Sequence, residues 1–193
     1  MTRLIRTFAA IDAANAADPT MEAHRPAALL YGERMSAECT RLFPEASEVL
    51  QIAARGQHVE RWLLSRRDYP EGKEGYFAWR REQARRHGLR VAAMMAEAGY
   101  PDADQARVGV LLRKEGIKRD AQVQALEDVI CHTFIRWYLA PFAASRDEAE
   151  VLDIVTKTAR KMSATGRAQA LAEFAMPPAL AQAFRNPARL RPD

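Results

Sequence analysis

The chain is poor in the features that disulfide-stapled, membrane-spanning and nucleotide-loop proteins need. Cysteine occurs only twice, as Cys39 and Cys131. Both sit far apart in apolar helical patterns, so buried reduced thiols in a cytoplasmic protein are a better reading than a disulfide. No run of ~18 uncharged apolar residues is present, so no membrane-spanning helix is expected. The N-terminus, Met1-Thr2-Arg3-Leu4-Ile5-Arg6, is soon followed by Asp12 and has no long apolar stretch, so no secretory leader is expected either. β-Branched runs are few, and no segment alternates apolar and polar residues for long enough to make a strand. A Gly-rich phosphate loop, a Cys-pair zinc motif and a Gly-x-Ser-x-Gly elbow are all missing.

What remains is rich in Ala, Leu, Glu and Arg, a composition that predicts an all-α protein. A length of 193 residues suits one domain with a sizeable core. Periodicity and punctuation predict a single-domain helical bundle. Its first helix runs from about Leu4 to Ala16 and ends at Asp18-Pro19. A second runs from Ala27 to Leu42, and a third from Glu45 to Trp62, opened by Pro44. A fourth, Glu74 to Ala98, is closed by Gly99. A fifth, capped by Asp102, runs to Glu115 and is closed by Gly116. A sixth, capped by Asp120, covers Ala121 to Ala144, with Pro141 bending or ending it early. Asp147 caps a seventh, Glu148 to Ser163, and short helices follow Thr165 and Pro178. The helices within 147–185 precede a loose basic tail at 186–193.

The net charge of +4 is modest, but arginine is dense between Arg61 and Arg90. Such a stretch meets phosphate, carboxylate or nucleic acid, or forms a solvated helix face. Arg61, Arg66, Arg80 and Lys118 have the chemistry to clamp an anion, because an Arg fork matches phosphate and carboxylate. Their alternative is salt bridging to Glu60, Asp68, Glu82 and Asp120. Trp62, Tyr76, Trp79, Trp137 and Tyr138 have the shape to stack on a ring, although core packing is the commoner role for such residues.

A sparse set of polar residues on apolar helices is the strongest chemical signal. His58, His87, Glu115 and the Glu127-Asp128 pair fall on separate predicted helices. Imidazoles and a carboxylate converging from several helices are the ingredients of a metal site. Gln51, Ala54, His58 and Trp62 share one predicted face, Gln83 shares one with His87, and Gln124 shares one with Asp128. Asp128 is flanked by Ala125, Leu126, Val129 and Ile130, so it needs a pair, hydrogen bonds or a metal. Glu127 points away from that face. His132 reads as a core or surface residue, and His24, in a Pro-flanked loop, as exposed.

These residues resemble the helical HD superfamily of metal-dependent phosphohydrolases and di-iron oxygenases. The resemblance covers roughly residues 27–138, with an HD-like core at about 27–145. It runs through Leu30-Tyr31-Gly32-Glu33-Arg34-Met35, Ile52-Ala53-Ala54-Arg55-Gly56-Gln57-His58, His87 and Leu126-Glu127-Asp128. Tyr31 stands where that pattern has its first histidine, and Val59 where it has the aspartate of the His-Asp pair. That aspartate is the bridging ligand of a binuclear site, so the pattern left here implies one metal rather than two. The implied ligands are His58, His87 and Asp128, with Glu115 as a fourth.

Nearly the whole chain also resembles a family known as domain of unknown function 4202, through ordered segments such as Ala54-Arg55-Gly56-Gln57-His58-Val59-Glu60-Arg61-Trp62 and Gln124-Ala125-Leu126-Glu127-Asp128. That match implies that Arg61, Arg66, Trp79, Arg80, Lys114 and Lys118 belong to the histidines' site, where Tyr31 and Gln124 are further candidates. Lys161-Met162-Ser163 is similar to the Lys-Met-Ser loop of class I aminoacyl-tRNA synthetases. The parallel nucleotide-binding sheet and His-rich motif of those enzymes are not foreseen here.

The leading expectation is a metal-dependent hydrolase acting on a small anionic, phosphorylated molecule. One divalent ion (zinc, manganese, iron or nickel) would be bound, with Glu115 and Lys114 as candidate catalytic groups. The alternatives are a degenerate, non-catalytic HD domain that binds an anion or nucleotide in a regulatory role, and an iron-dependent oxygenase. Nucleic-acid binding is the weakest candidate, and no membrane partner is expected.

Overall fold

A computed structural model describes residues 1–187, and the protein is all-α with one very short strand pair. The distal part of the expected basic tail, from residue 188 on, lies outside the described residues. Among the described residues, no helix is long and apolar enough to cross a membrane. The chain divides into two compact units, one of residues Met1–Gly116 and one beginning at Ile117.

The first unit holds α1 (Arg3–Asn15), α2 (Ala27–Leu42), α3 (Glu48–Arg55), α4 (Gly72–Glu97) and α5 (Asp102–Arg113). Each boundary has a local cause. The Thr2 hydroxyl accepts the Ile5 N–H and caps α1, and Ser47 accepts the Leu50 N–H and caps α3. Asp18 accepts the N–H groups of Thr20 and Ala28, fixing the entry to α2. Gly99, at φ +83°, lets the chain reverse between α4 and α5. The first core includes Ile11, Met35, Ile52, Val91, Met95, Val108 and Leu111.

Three expectations fail in this unit. Asp102 does not cap α5: it is already the first helical residue, Pro101 stands at the N-cap, and no side chain caps the helix. A short antiparallel pair, β1 (Met21–Glu22) with β2 (Arg25–Pro26), occupies the loop before α2, and two-residue strands leave no readable alternation in sequence. The long third helix is also absent. Proline 44 does not open it, and it ends at Arg55 instead of continuing to Trp62. Gly56 caps its end at φ −88°, ψ 5°, and admits no larger residue, because a Cβ there would lie 2.5 Å from Val91 Cγ2. The chain then turns sharply, with Glu60 at φ +51° donating its N–H to Asn15 Oδ1 at 3.0 Å. His58 therefore sits on a turn, and the shared face of Gln51, Ala54, His58 and Trp62 does not form.

The second unit holds α6 (Ala121–Thr133), α7 (Leu139–Ala143), α8 (Glu148–Lys161), α9 (Ala164–Glu173) and α10 (Pro178–Arg185). The predicted 121–144 helix is interrupted by a widened π turn at Phe134–Tyr138. Pro141 has no N–H to donate, and its ring crowds the turn before it, which a widened turn relieves. The caps read from sequence hold at Asp120 and Asp147. Phe184, Met162, Ala159, Val155 and Ile135 pack into one apolar cluster.

Candidate functional site

In the first unit, α4 holds a short loop by one face. Trp79, Gln83 and His87 recur every four residues, so they lie above one another on the helix. The Trp79 indole N–H donates to the Leu64 carbonyl at 3.1 Å. The Gln83 amide donates to the carbonyls of Arg61 (2.8 Å) and Leu64 (3.2 Å). His87 is bonded to the backbone of Gln57, and its Nε2 has no hydrogen-bond partner. Nδ1–H is therefore the donor to the Gln57 carbonyl, and Nε2 keeps its lone pair. Three side chains thus pin residues 57–64, which carry His58 and Arg61.

His58 is brought to His87, with ring centroids 6.3 Å apart and planes tilted by 50°. Its other contact is Tyr31 of α2, stacked at 3.8 Å and 13°. Around this pair the charge has one sign. Burial lowers the His58 pKa well below the usual imidazole value, and Arg61, His87, Arg80 and Lys114 lower it further. His87 is pushed down to about 3, mainly by burial, then by Arg61 and Arg80. Both imidazoles are neutral at pH 7.

Arg61 is half-buried with its guanidinium over the Trp79 ring at 4.7 Å. Burial, and then Arg80, depress its pKa. Arg80 lies over Tyr76 at 5.9 Å and reaches its hydroxyl at 3.4 Å. The carboxylates beside them in sequence are taken by other arginines. Glu60 pairs with Arg90, and Glu82 with Arg85 and Arg86. Among the described residues, neither Arg61 nor Arg80 has an ion-pair partner. Arg80 is exposed, but the half-buried charge of Arg61 without a counter-ion is costly, and a bound anion relieves it.

The remaining expected residues take other roles. Arg66 closes its own loop on the carbonyls of Tyr69 and Gly72. Lys114 is half-buried at φ +58°, just past the end of α5. Glu115 is exposed and accepts from the Arg113 guanidinium at 2.6 and 3.3 Å. In the second unit, Lys118 donates to the carbonyls of Lys161 (2.8 Å) and Met162 (2.7 Å). Gln124 donates to Asp128 and to the Lys161 carbonyl.

Asp128 is buried, and its carboxylate accepts from Ser163 N at 2.8 Å, Ser163 Oγ at 2.5 Å and Gln124 at 3.1 Å. Ser163 also caps α9 through the Gly166 N–H, where a Cβ would come within 3.0 Å of the Asp128 carboxylate atoms. The Lys-Met-Ser segment is thus a helix junction. His132 is fully buried, with Nε2 3.1 Å from the Gly166 carbonyl, and His24 is exposed. Sequence reasoning missed Ser163 as the partner of Asp128, and missed Asn15, which holds the His58 turn through Glu60.

Among the described residues, no three or more His, Cys, Asp or Glu side chains are grouped to hold a metal ion. The His58–His87 pair fits the nitrogen part of such a site. Both rings are neutral, and the Nδ1–H bond of His87 to a carbonyl is the support that metal-binding imidazoles usually have. Two imidazoles on one tetrahedral metal bring their ring centres to ~5 Å, so sharing one here requires a small inward rotation.

The chain belongs to the family described as Domain of unknown function (DUF4202), which it matches over residues 5–183. No curated protein matches it, and no solved structure does.

Proposed function

We propose that the first unit binds a small anionic, phosphorylated molecule at the Tyr31–His58–His87 cluster. The observation that carries this reading is Arg61, half-buried near Arg80 with no carboxylate partner and close to two uncharged imidazoles. A phosphate supplies the missing counter-charge, and the two guanidinium groups are held in place by Trp79 and Tyr76. Tyr31 braces His58 from behind, and Lys114 adds positive potential. His58 and the His87 lone pair offer neutral nitrogen acceptors for a hydroxyl or a protonated phosphate oxygen.

Isothermal titration with inorganic phosphate tests this. Wild-type protein binds, and Arg61→Met loses ten- to hundredfold in affinity, the equivalent of a charge-assisted contact of about 1.5–3 kcal/mol. Equal binding by both proteins, or none by either, rejects the site.

A second reading, an HD-like metal-dependent hydrolase in the cytoplasm, is favoured by one observation: the buried His87 Nε2 without a partner. His58 and His87 would hold the ion, which when bound would supply an acidified water beside the phosphoryl group. Glu115 would join them only by leaving Arg113, and Asp128 belongs to the second unit, where Ser163 and Gln124 hold it. Metal analysis of purified protein decides: a stoichiometric divalent ion, lost in His58→Ala, supports this reading, and no bound metal rejects it.

A further inference from the structure

A cleft of about 380 Å³ borders His87 in the first unit. Its walls are Val59, Leu63, Leu64, Leu89 and Ala93, supplied by the pinned loop and by α4. This volume lies in the range of small-molecule sites, which are mostly apolar with a few polar groups. Leu63 and Leu89 are 63% and 56% exposed, an open apolar lining with no covering element among the described residues. The charges at its edge are already matched, Glu60 with Arg90 and Arg86 with Glu82. The cleft therefore has little to offer an anion of its own.

The neighbouring chemistry has the opposite character. Residues 57–64 present Val59, Leu63 and Leu64 to the cleft, while Arg61 carries charge in the neighbouring cluster and His58 lies there as a neutral ring. His87 takes part in both, lining the cleft and meeting the His58 ring. An uncompensated positive cluster and an open apolar cleft, joined through one side chain and one loop, match a ligand with a charged end and an apolar end.

We infer that the ligand is a phosphomonoester of an apolar alcohol, its phosphate on Arg61 and Arg80 and its hydrocarbon or aryl part in the Leu63–Leu89–Ala93 cleft. This rests on the anion-binding reading above and adds the class of substituent. Burying a phenyl-sized group in such a cleft raises affinity about tenfold or more over the bare anion.

The test is isothermal titration, in the presence of EDTA, with inorganic phosphate and with phenyl phosphate. Wild-type protein and Ala93→Trp are compared, because Ala93 is exposed on α4 and an indole there fills the cleft without disturbing the core. Leu63→Asn, also at an exposed position, is the second variant. The expected result is tighter binding of phenyl phosphate, with both substitutions removing the gain and leaving phosphate affinity unchanged. Equal affinity for the two ligands, or a gain that survives Ala93→Trp, overturns the inference while leaving the anion site standing. No binding of either ligand overturns the anion site itself.

Discussion

Because His87 is buried and neutral, the stability of the protein depends on acid in a way that one substitution removes. In the folded chain its pKa is about 3, whereas an exposed imidazole titrates near 6.5. Below pH 6.5 the unfolded chain takes up a proton that the folded chain refuses. Stability is therefore complete above that pH and is lost as pH falls toward 3, at about 1.4 kcal/mol per unit. From neutral pH to 4.5 the loss attributable to His87 is about 2.5 kcal/mol, a large share of a typical domain's stability. His87→Gln keeps an amide donor for the Gln57 carbonyl but has no proton to gain. At pH 7.5 it is less stable than wild type by about 1–3 kcal/mol, through lost packing and an altered hydrogen bond. Urea denaturation at half-unit steps from pH 7.5 to 4.5 should show this gap closing by about 2.5 kcal/mol. Parallel curves over the whole range would mean instead that His87 is protonated in both states or in neither.

Gly56→Ala places a methyl group 2.5 Å from Val91 Cγ2, and overpacking of that kind should cost about 1–3 kcal/mol in thermal unfolding. Arg61→Met should leave the melting temperature unchanged or raise it while weakening phosphate binding, because it removes a half-buried charge that has no ion-pair partner. Asp128→Asn should destabilise by about 2–4 kcal/mol, since it replaces a charge-assisted acceptor of three hydrogen bonds. A double-mutant cycle of Asp128→Asn with Ser163→Ala should give a coupling energy above about 1 kcal/mol, and strict additivity would show that the pair is not a working unit.

Much of the helical order is legible from punctuation alone. Proline and glycine mark where the chain must leave the helix, and α2 begins and ends at the residues the sequence indicates. The third helix is misjudged for a tertiary reason. The turn that follows Gly56 depends on Asn15 holding Glu60 in a left-handed conformation, and that partner is distant in sequence. The same limit applies to the polar residues. Burial of Asp128 in an apolar run signals a need for partners, but Ser163, which supplies two of them, lies 35 positions away. The balance between clamp and salt bridge for Arg61 and Arg80 is undecidable from neighbours, because Glu60 and Glu82 turn toward other arginines. Of the four metal ligands expected from the sequence, only His58 and His87 come together, with ring centroids 6.3 Å apart, while Glu115 turns to Arg113 and Asp128 to Ser163.

A phosphate held by Arg61 and Arg80 sits beside neutral His58 and changes the surroundings of its ring nitrogens. Long-range ¹H–¹⁵N spectra of the histidine rings at pH 7, recorded while inorganic phosphate is added, test it most directly. Before addition, the ring nitrogens of His58 and His87 should show the neutral pattern. On addition, the His58 nitrogens should move in a saturable way, exposed His24 should stay still, and the response should vanish in Arg61→Met. A His58 already cationic at pH 7, or a His58 signal unmoved by saturating phosphate, would contradict the account.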